Sequence, residues 1–191
     1  GRVKRTSLKD FRNINRSGII ALNLNDGDRF EVLRFSTETE PLFGGLQKVS
    51  SKNREQAVDF LSGLKPIGGT AINDALANAL KLRPAKGDRP FVVIFLTDGR
   101  PTVGITGERQ IVQNVGKAAG NTRVFCFGIG TDVNAHLLDK ITEETRASST
   151  YVTPQEDIEV KVSSFYTKIK DSFSYIEICN FSTITKWHKT F

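Results

Sequence analysis

The chain has 191 residues, of which 38% are hydrophobic and 25% charged, and its formal net charge is +6. These values are typical of a globular protein with one domain and a sizeable core, and the charge permits anionic partners without demonstrating them. No apolar run approaches the roughly 18–20 residues of a membrane span, and no apolar stretch at the start resembles a signal peptide. Two cysteines are too few for a disulfide framework.

Strand and helix signals alternate along most of the chain. The strand signals are runs of β-branched and aromatic residues, and the helix signals are apolar residues three or four positions apart. In chain order they predict a strand at 28–36 with a hairpin partner at 39–49, helices at 52–63 and 71–82, a strand at 90–98, a helix at 109–119, a strand at 123–130, a helix at 135–145 and a strand at 149–153. A capping-box pattern at 153–156 predicts a last helix that runs to about residue 169.

The fold class follows from this alternation. The strands at 90–98 and 123–130 are apolar on nearly consecutive positions, which indicates strands covered on both faces. Helices between such strands predict a doubly wound α/β domain whose mostly parallel sheet is flanked by helices. Ligands of such sheets bind beyond the carboxyl ends of the strands, where Asp98 would lie.

Two loops carry the candidate chemistry. The first, GGTAIND at 68–74, leads into a predicted helix and contains Thr70, whereas the second, LTDGRPTVG at 96–104, contains Asp98. Hydroxyl and carboxylate oxygens suit Mg²⁺ or Mn²⁺. Thr70 either caps the following helix only, or caps it and also binds a cation. Zinc is not expected, because His136 and His188 have no cysteine or histidine partner at ligand spacing.

GGTAINDAL and FLTDGRPTVG together resemble the von Willebrand factor type A domain, in the form found in inter-alpha-trypsin inhibitor heavy chains and their bacterial relatives. The resemblance covers about residues 26–170. It implies a metal-ion-dependent adhesion site, built in that family from an Asp-x-Ser-x-Ser loop, a threonine and an aspartate. Thr70 and Asp98 match the last two. The open coordination position of the ion would accept a carboxylate from a protein partner, in an extracellular or cell-envelope setting.

The start of the chain departs from that family. No Asp-x-Ser-x-Ser motif precedes residue 26, so the first strand and helix of the fold are expected to be replaced or missing, and the cation to bind weakly or not at all. Residues 1–27 instead resemble a strand stretch of the C-terminal domain of the DNA gyrase A subunit. GIIALNL at 18–24 is a candidate substitute strand, which would bring Arg16 to the rim near Asp98. The predicted layout is therefore a gyrase-like segment at 1–27, a type A domain at 28–170 and an extension at 171–191.

The predicted function is protein binding through an incomplete metal-ion-dependent adhesion site. Its candidate rim or supporting residues, besides Arg16, are Ser36, Asn73, Asp74 and Arg100. Nucleic-acid binding through the basic N-terminus and a structural domain without a working site are the alternatives. No nucleophile–base pair, phosphate loop or zinc signature is present in the sequence, so no enzymatic activity is expected.

Overall fold

The computed structural model describes residues 28–63, 68–85, 91–156, 160–161 and 164–165. The elements in these ranges lie close to the predicted positions. In chain order they are β1 (Arg29–Phe30), β2 (Leu33–Phe35), β3 (Thr39–Pro41), β4 (Gln47–Lys48), α1 (Ser51–Ser62), α2 (Ile72–Lys81), β5 (Val92–Thr97), α3 (Glu108–Ala119), β6 (Arg123–Ile129), α4 (Ala135–Glu144) and β7 (Ser149–Val152).

Three strands form the parallel sheet that the sequence predicts. Their order is β5-β6-β7, with Val92 opposite Arg123 and Cys126 opposite Ser149. All six residues of β5 are buried. A strand covered on both faces has no position for an exposed polar side chain, which explains its unbroken apolar sequence.

The helices cover the sheet on both faces, so the doubly wound α/β prediction is confirmed. One face carries Val93 and Phe95 of β5 and is packed by α2, α3 and α4. The other face carries Ile94 of β5 and is packed by Ala57 of α1 and by Phe165. Cys126 lies buried in the first of these cores as a small apolar residue, and its burial raises the pKa of its thiol.

The predicted strand at 28–36 is two short strands. β2 pairs antiparallel with β3, and β1 pairs antiparallel with β4, as the predicted hairpin requires. The break falls at Glu31, whose carboxylate accepts a hydrogen bond of 2.9 Å from the Val32 N–H. That N–H is therefore held by a side chain rather than by a neighbouring strand, which ends the ladder locally.

Several predictions fall on residues outside the described ranges. They concern the replaced first strand and helix, the substitute strand at 18–24, Arg16, the limits of the 1–27 and 171–191 segments, and the full length of the last helix, of which 160–161 and 164–165 are described as helical. The capping-box contact at its start is present, since the Thr153 N–H donates to Glu156 Oε2 over 2.9 Å. In the described part of the chain, no helix has the length and apolar character needed to cross a membrane.

Candidate functional site

The two candidate loops meet at the carboxyl edge of the sheet. The Thr70 N–H donates to Thr102 Oγ1 over 2.8 Å, and the Thr102 N–H donates to the Thr70 carbonyl over 3.0 Å. The Val103 N–H reaches the same carbonyl over 3.4 Å. The loop before α2 and the loop after β5 are therefore hydrogen-bonded to each other through Thr70.

Thr70 does not cap α2, so the capping role predicted from the sequence is wrong. The N-cap of α2 is Ala71, and the cap has no side-chain hydrogen bond. The helix begins one residue later than the predicted 71, and the Ala71 N–H is bound by the Ser36 carbonyl at 2.8 Å, which ties the start of α2 to the end of β2. In the described part of the chain, the Thr70 hydroxyl has no hydrogen-bond partner, which leaves it available to a ligand.

Glycines allow the close approach of the two loops. An ideal Cβ on Gly99 would lie 3.4 Å from Thr70 Oγ1, so the hydroxyl faces the residue that follows Asp98. A Cβ on Gly69 would lie 2.6 Å from Val103 Cγ2 and 2.9 Å from Thr37 Oγ1, distances that require a shift of the backbone or of these side chains. A side chain at 69 would therefore press against Val103 and Thr37 and disturb the packing of the loop.

Asp98 follows the last residue of β5 and is half-buried. Asp98 therefore lies between Thr97 and Gly99, on the edge of the sheet where the Thr70 hydroxyl approaches Gly99. Two oxygen donors of this kind fit a hard cation that keeps several water ligands. Within the described residues, no cluster of three or more acidic, histidine or cysteine side chains could hold a metal ion.

Asn73 is buried, with 9% of its surface exposed, and so does not face solvent. Its Oδ1 accepts from Asn114 Nδ2 of α3 at 2.9 Å, and its Nδ2 donates to Asp74 Oδ1 at 2.9 Å. The other oxygen of Asp74 lies 3.4 Å from the Cβ position of Gly104, which has a φ of +67°. Asn73 therefore joins the start of α2 to α3, and the exposed Asp74 lies beside Gly104 of the second loop.

The remaining predicted residues occupy the periphery. Ser36 is half-buried and contributes its backbone carbonyl to Ala71, and Arg100 is exposed on the second loop. The positive charge of Arg100 adds to the hydrogen bonds from Asn134 and His136 that lower the pKa of Glu108 at the start of α3.

A polar cluster beside this loop was missed from the sequence. Glu108 Oε1 accepts from Asn134 Nδ2 at 2.8 Å, and Glu108 Oε2 lies 2.6 Å from His136 Nδ1. The hydrogen bonds from Asn134 and His136 hold the pKa of Glu108 below its ordinary value. Asn134 also accepts from the Leu137 N–H at 3.1 Å as the N-cap of α4, so the cluster ties the starts of α3 and α4 together. Helical spacing relates residues within one helix, so it could not reveal this contact between two helices.

Comparison with known proteins decides the family. A family model described as the von Willebrand factor type A domain matches residues 16–149. The chain belongs to this family. A second model, the β-propeller C-terminal domain of DNA gyrase, matches residues 1–30, so residues 16–30 are common to both matches.

The chain is similar to curated proteins over about three quarters of its own length. It is 32% identical over 155 residues to "Inter-alpha-trypsin inhibitor heavy chain H4" of Homo sapiens, and 26% identical over 155 residues to the human heavy chain H1. Each alignment covers 77% of this chain and 17% of the relative, so the chain spans about a sixth of the heavy chains it matches.

Solved structures share the fold. A von Willebrand factor type A structure from Catenulispora acidiphila superposes with a TM-score of 0.65 at 22% identity, covering 76% of this chain and 34% of that one. Proximal thread matrix protein 1 of the mussel byssus, described as having a zinc-occupied MIDAS motif, superposes with a TM-score of 0.51 at 25% identity, covering 75% and 33%.

Proposed function

We propose that this type A domain binds a protein partner at the carboxyl edge of its sheet, through a divalent cation held by Thr70 and Asp98. The observation that carries the proposal is the placement of the Thr70 hydroxyl over Gly99, directly after Asp98, by the hydrogen bonds between the two loops. The zinc-occupied MIDAS motif of the mussel protein supports a cation at the corresponding edge.

The cation would fill its other positions with water and with a carboxylate of the partner. Mg²⁺ and Mn²⁺ prefer oxygen ligands, and an ion with an open or water-filled position accepts an acidic side chain in exchange for water. Because the sequence lacks the Asp-x-Ser-x-Ser loop, the chain supplies few anionic ligands, and we expect weak affinity. By family membership, we expect an extracellular or cell-envelope location and no catalysis.

A calorimetric titration with Mn²⁺ tests the proposal. Wild type should give saturable heat, and Asp98→Asn should lose it because the anionic ligand is replaced by a neutral amide. Asp132→Asn is the matched control, since Asp132 is an exposed aspartate shortly after β6 on the same edge. Equal binding by wild type and Asp98→Asn would refute the proposal, as would the absence of any binding by wild type, and the domain would then be a scaffold.

DNA binding through the basic start of the chain is not supported. The gyrase model matches only residues 1–30, which is too short to form a closed multi-blade domain.

A further inference from the structure

We infer that Thr102 is a positioning residue for the proposed site, and that Gly69 completes its support of Thr70. The inference rests on the proposed function, because it assigns the residues that fix the direction of the Thr70 hydroxyl. Neither Thr102 nor Gly69 would touch the cation.

The hydrogen bonds of Thr102 fix the backbone of Thr70 from one side. Its hydroxyl oxygen accepts the Thr70 N–H at 2.8 Å, and its own N–H donates to the Thr70 carbonyl at 3.0 Å. The backbone N–H and carbonyl of Thr70 are thus both bound to Thr102 of the other loop, and the carbonyl also accepts the Val103 N–H at 3.4 Å. This pair of bonds limits rotation of the Thr70 backbone, and therefore limits where its side chain can lie.

Gly69 lets the same segment lie close to both of its neighbours. The absence of a side chain lets its backbone lie against Thr37 and Val103, where an added Cβ would be 2.9 Å from Thr37 Oγ1 and 2.6 Å from Val103 Cγ2. Gly68, the neighbouring residue, has open space around its Cβ position. Of these two adjacent glycines, therefore, only Gly69 needs to lack a side chain for the loops to pack closely.

Thr102→Val tests the hydroxyl with little change of shape. It removes the acceptor of the Thr70 N–H but keeps the backbone bond from residue 102, so the loop should stay in place. Thr102→Ser retains the acceptor. Native-state hydrogen exchange of the Thr70 amide, followed by NMR, should show protection reduced about 3- to 10-fold in Thr102→Val and almost unchanged in Thr102→Ser, because Thr102 is exposed and water replaces part of the lost bond.

The Mn²⁺ association constant should fall by a similar factor, about 3- to 10-fold, in Thr102→Val. The glycine pair gives an independent test: Gly69→Ala should weaken Mn²⁺ binding and lower Thr70 amide protection, whereas Gly68→Ala should do neither. Unchanged protection in Thr102→Val, or equal effects of the two glycine variants, would overturn the inference. Failure of the proposed function is recognised separately, as a wild type that binds no Mn²⁺, and amide protection still decides the role of Thr102 in that case.

Discussion

Replacement of the buried carboxylate of Glu31 should strongly destabilise the domain. Glu31 is fully buried, and besides the Val32 N–H it accepts the N–H of Phe43 at 2.9 Å and of Gly45 at 2.6 Å. These last two groups belong to the connection between β3 and β4. Glu31→Ala leaves all three donors without this acceptor.

The magnitude follows from those three donors. A buried donor that loses its partner costs about 1–3 kcal/mol. Phe43 and Gly45 are half-buried, so water reaches them in part, and the lower half of this range applies to each, whereas the full range applies to the buried Val32 N–H. Removal of the buried carboxylate recovers part of its own desolvation cost, so we expect the free energy of unfolding to fall by about 3–5 kcal/mol. Glu31→Gln keeps one acceptor oxygen and should cost about half as much.

Urea denaturation with an unchanged m-value measures this loss. Glu40→Ala is the control, because Glu40 forms a surface ion pair with Arg34 and is 55% exposed. Such a pair contributes about 0–1 kcal/mol. If Glu31→Ala unfolds at the same urea concentration as Glu40→Ala, the buried carboxylate does not hold the loop, and the reasoning fails.

Three further predictions concern the packing of α3, α4 and β7. Tyr151→Phe should cost about 1–2 kcal/mol in urea denaturation, because the Tyr151 hydroxyl donates to Asp139 Oδ1 at 2.6 Å and burial raises its pKa to about 12. The stability supplied by the protonated hydroxyl should then be complete below about pH 10 and be lost as pH rises through the folded pKa. Gly128→Ala should cost about 1–3 kcal/mol in the same assay, since its Cβ would lie 2.6 Å from the Tyr151 ring. The pKa of Glu108 is lowered in the folded state, so wild type should be thermally more stable than Glu108→Gln above the ordinary glutamate pKa of about 4.3. This difference should vanish as pH falls through the folded pKa. A difference between wild type and Glu108→Gln that stays constant at all pH values would contradict the last prediction. Unchanged stability in Tyr151→Phe or in Gly128→Ala would contradict the prediction for that variant.

The sequence determined the elements and the class of the fold. The apolar run of β5 and the helical spacing of apolar residues in α2 show which side chains of each segment must be buried. This requirement does not depend on the packing partner, so both elements can be identified from local sequence. The meeting of the loop at 68–74 with the loop at 96–104 was also predictable, because α2 and the strand β5 that follows it run in opposite directions, which brings the start of α2 beside the end of β5.

Only the tertiary structure decided what individual polar residues do. Thr70 precedes a helix and was expected to cap it, but its backbone is bound to Thr102, which is distant in sequence, and the next N–H, that of Ala71, is bound by the Ser36 carbonyl. Asn73 was expected to face solvent or support the loop, but it is buried, because Asn114 of a neighbouring helix satisfies its amide oxygen. Hydrogen bonds of this kind join residues tens of positions apart, and their geometry exists only after the apolar faces have packed, so no local pattern of residues encodes them.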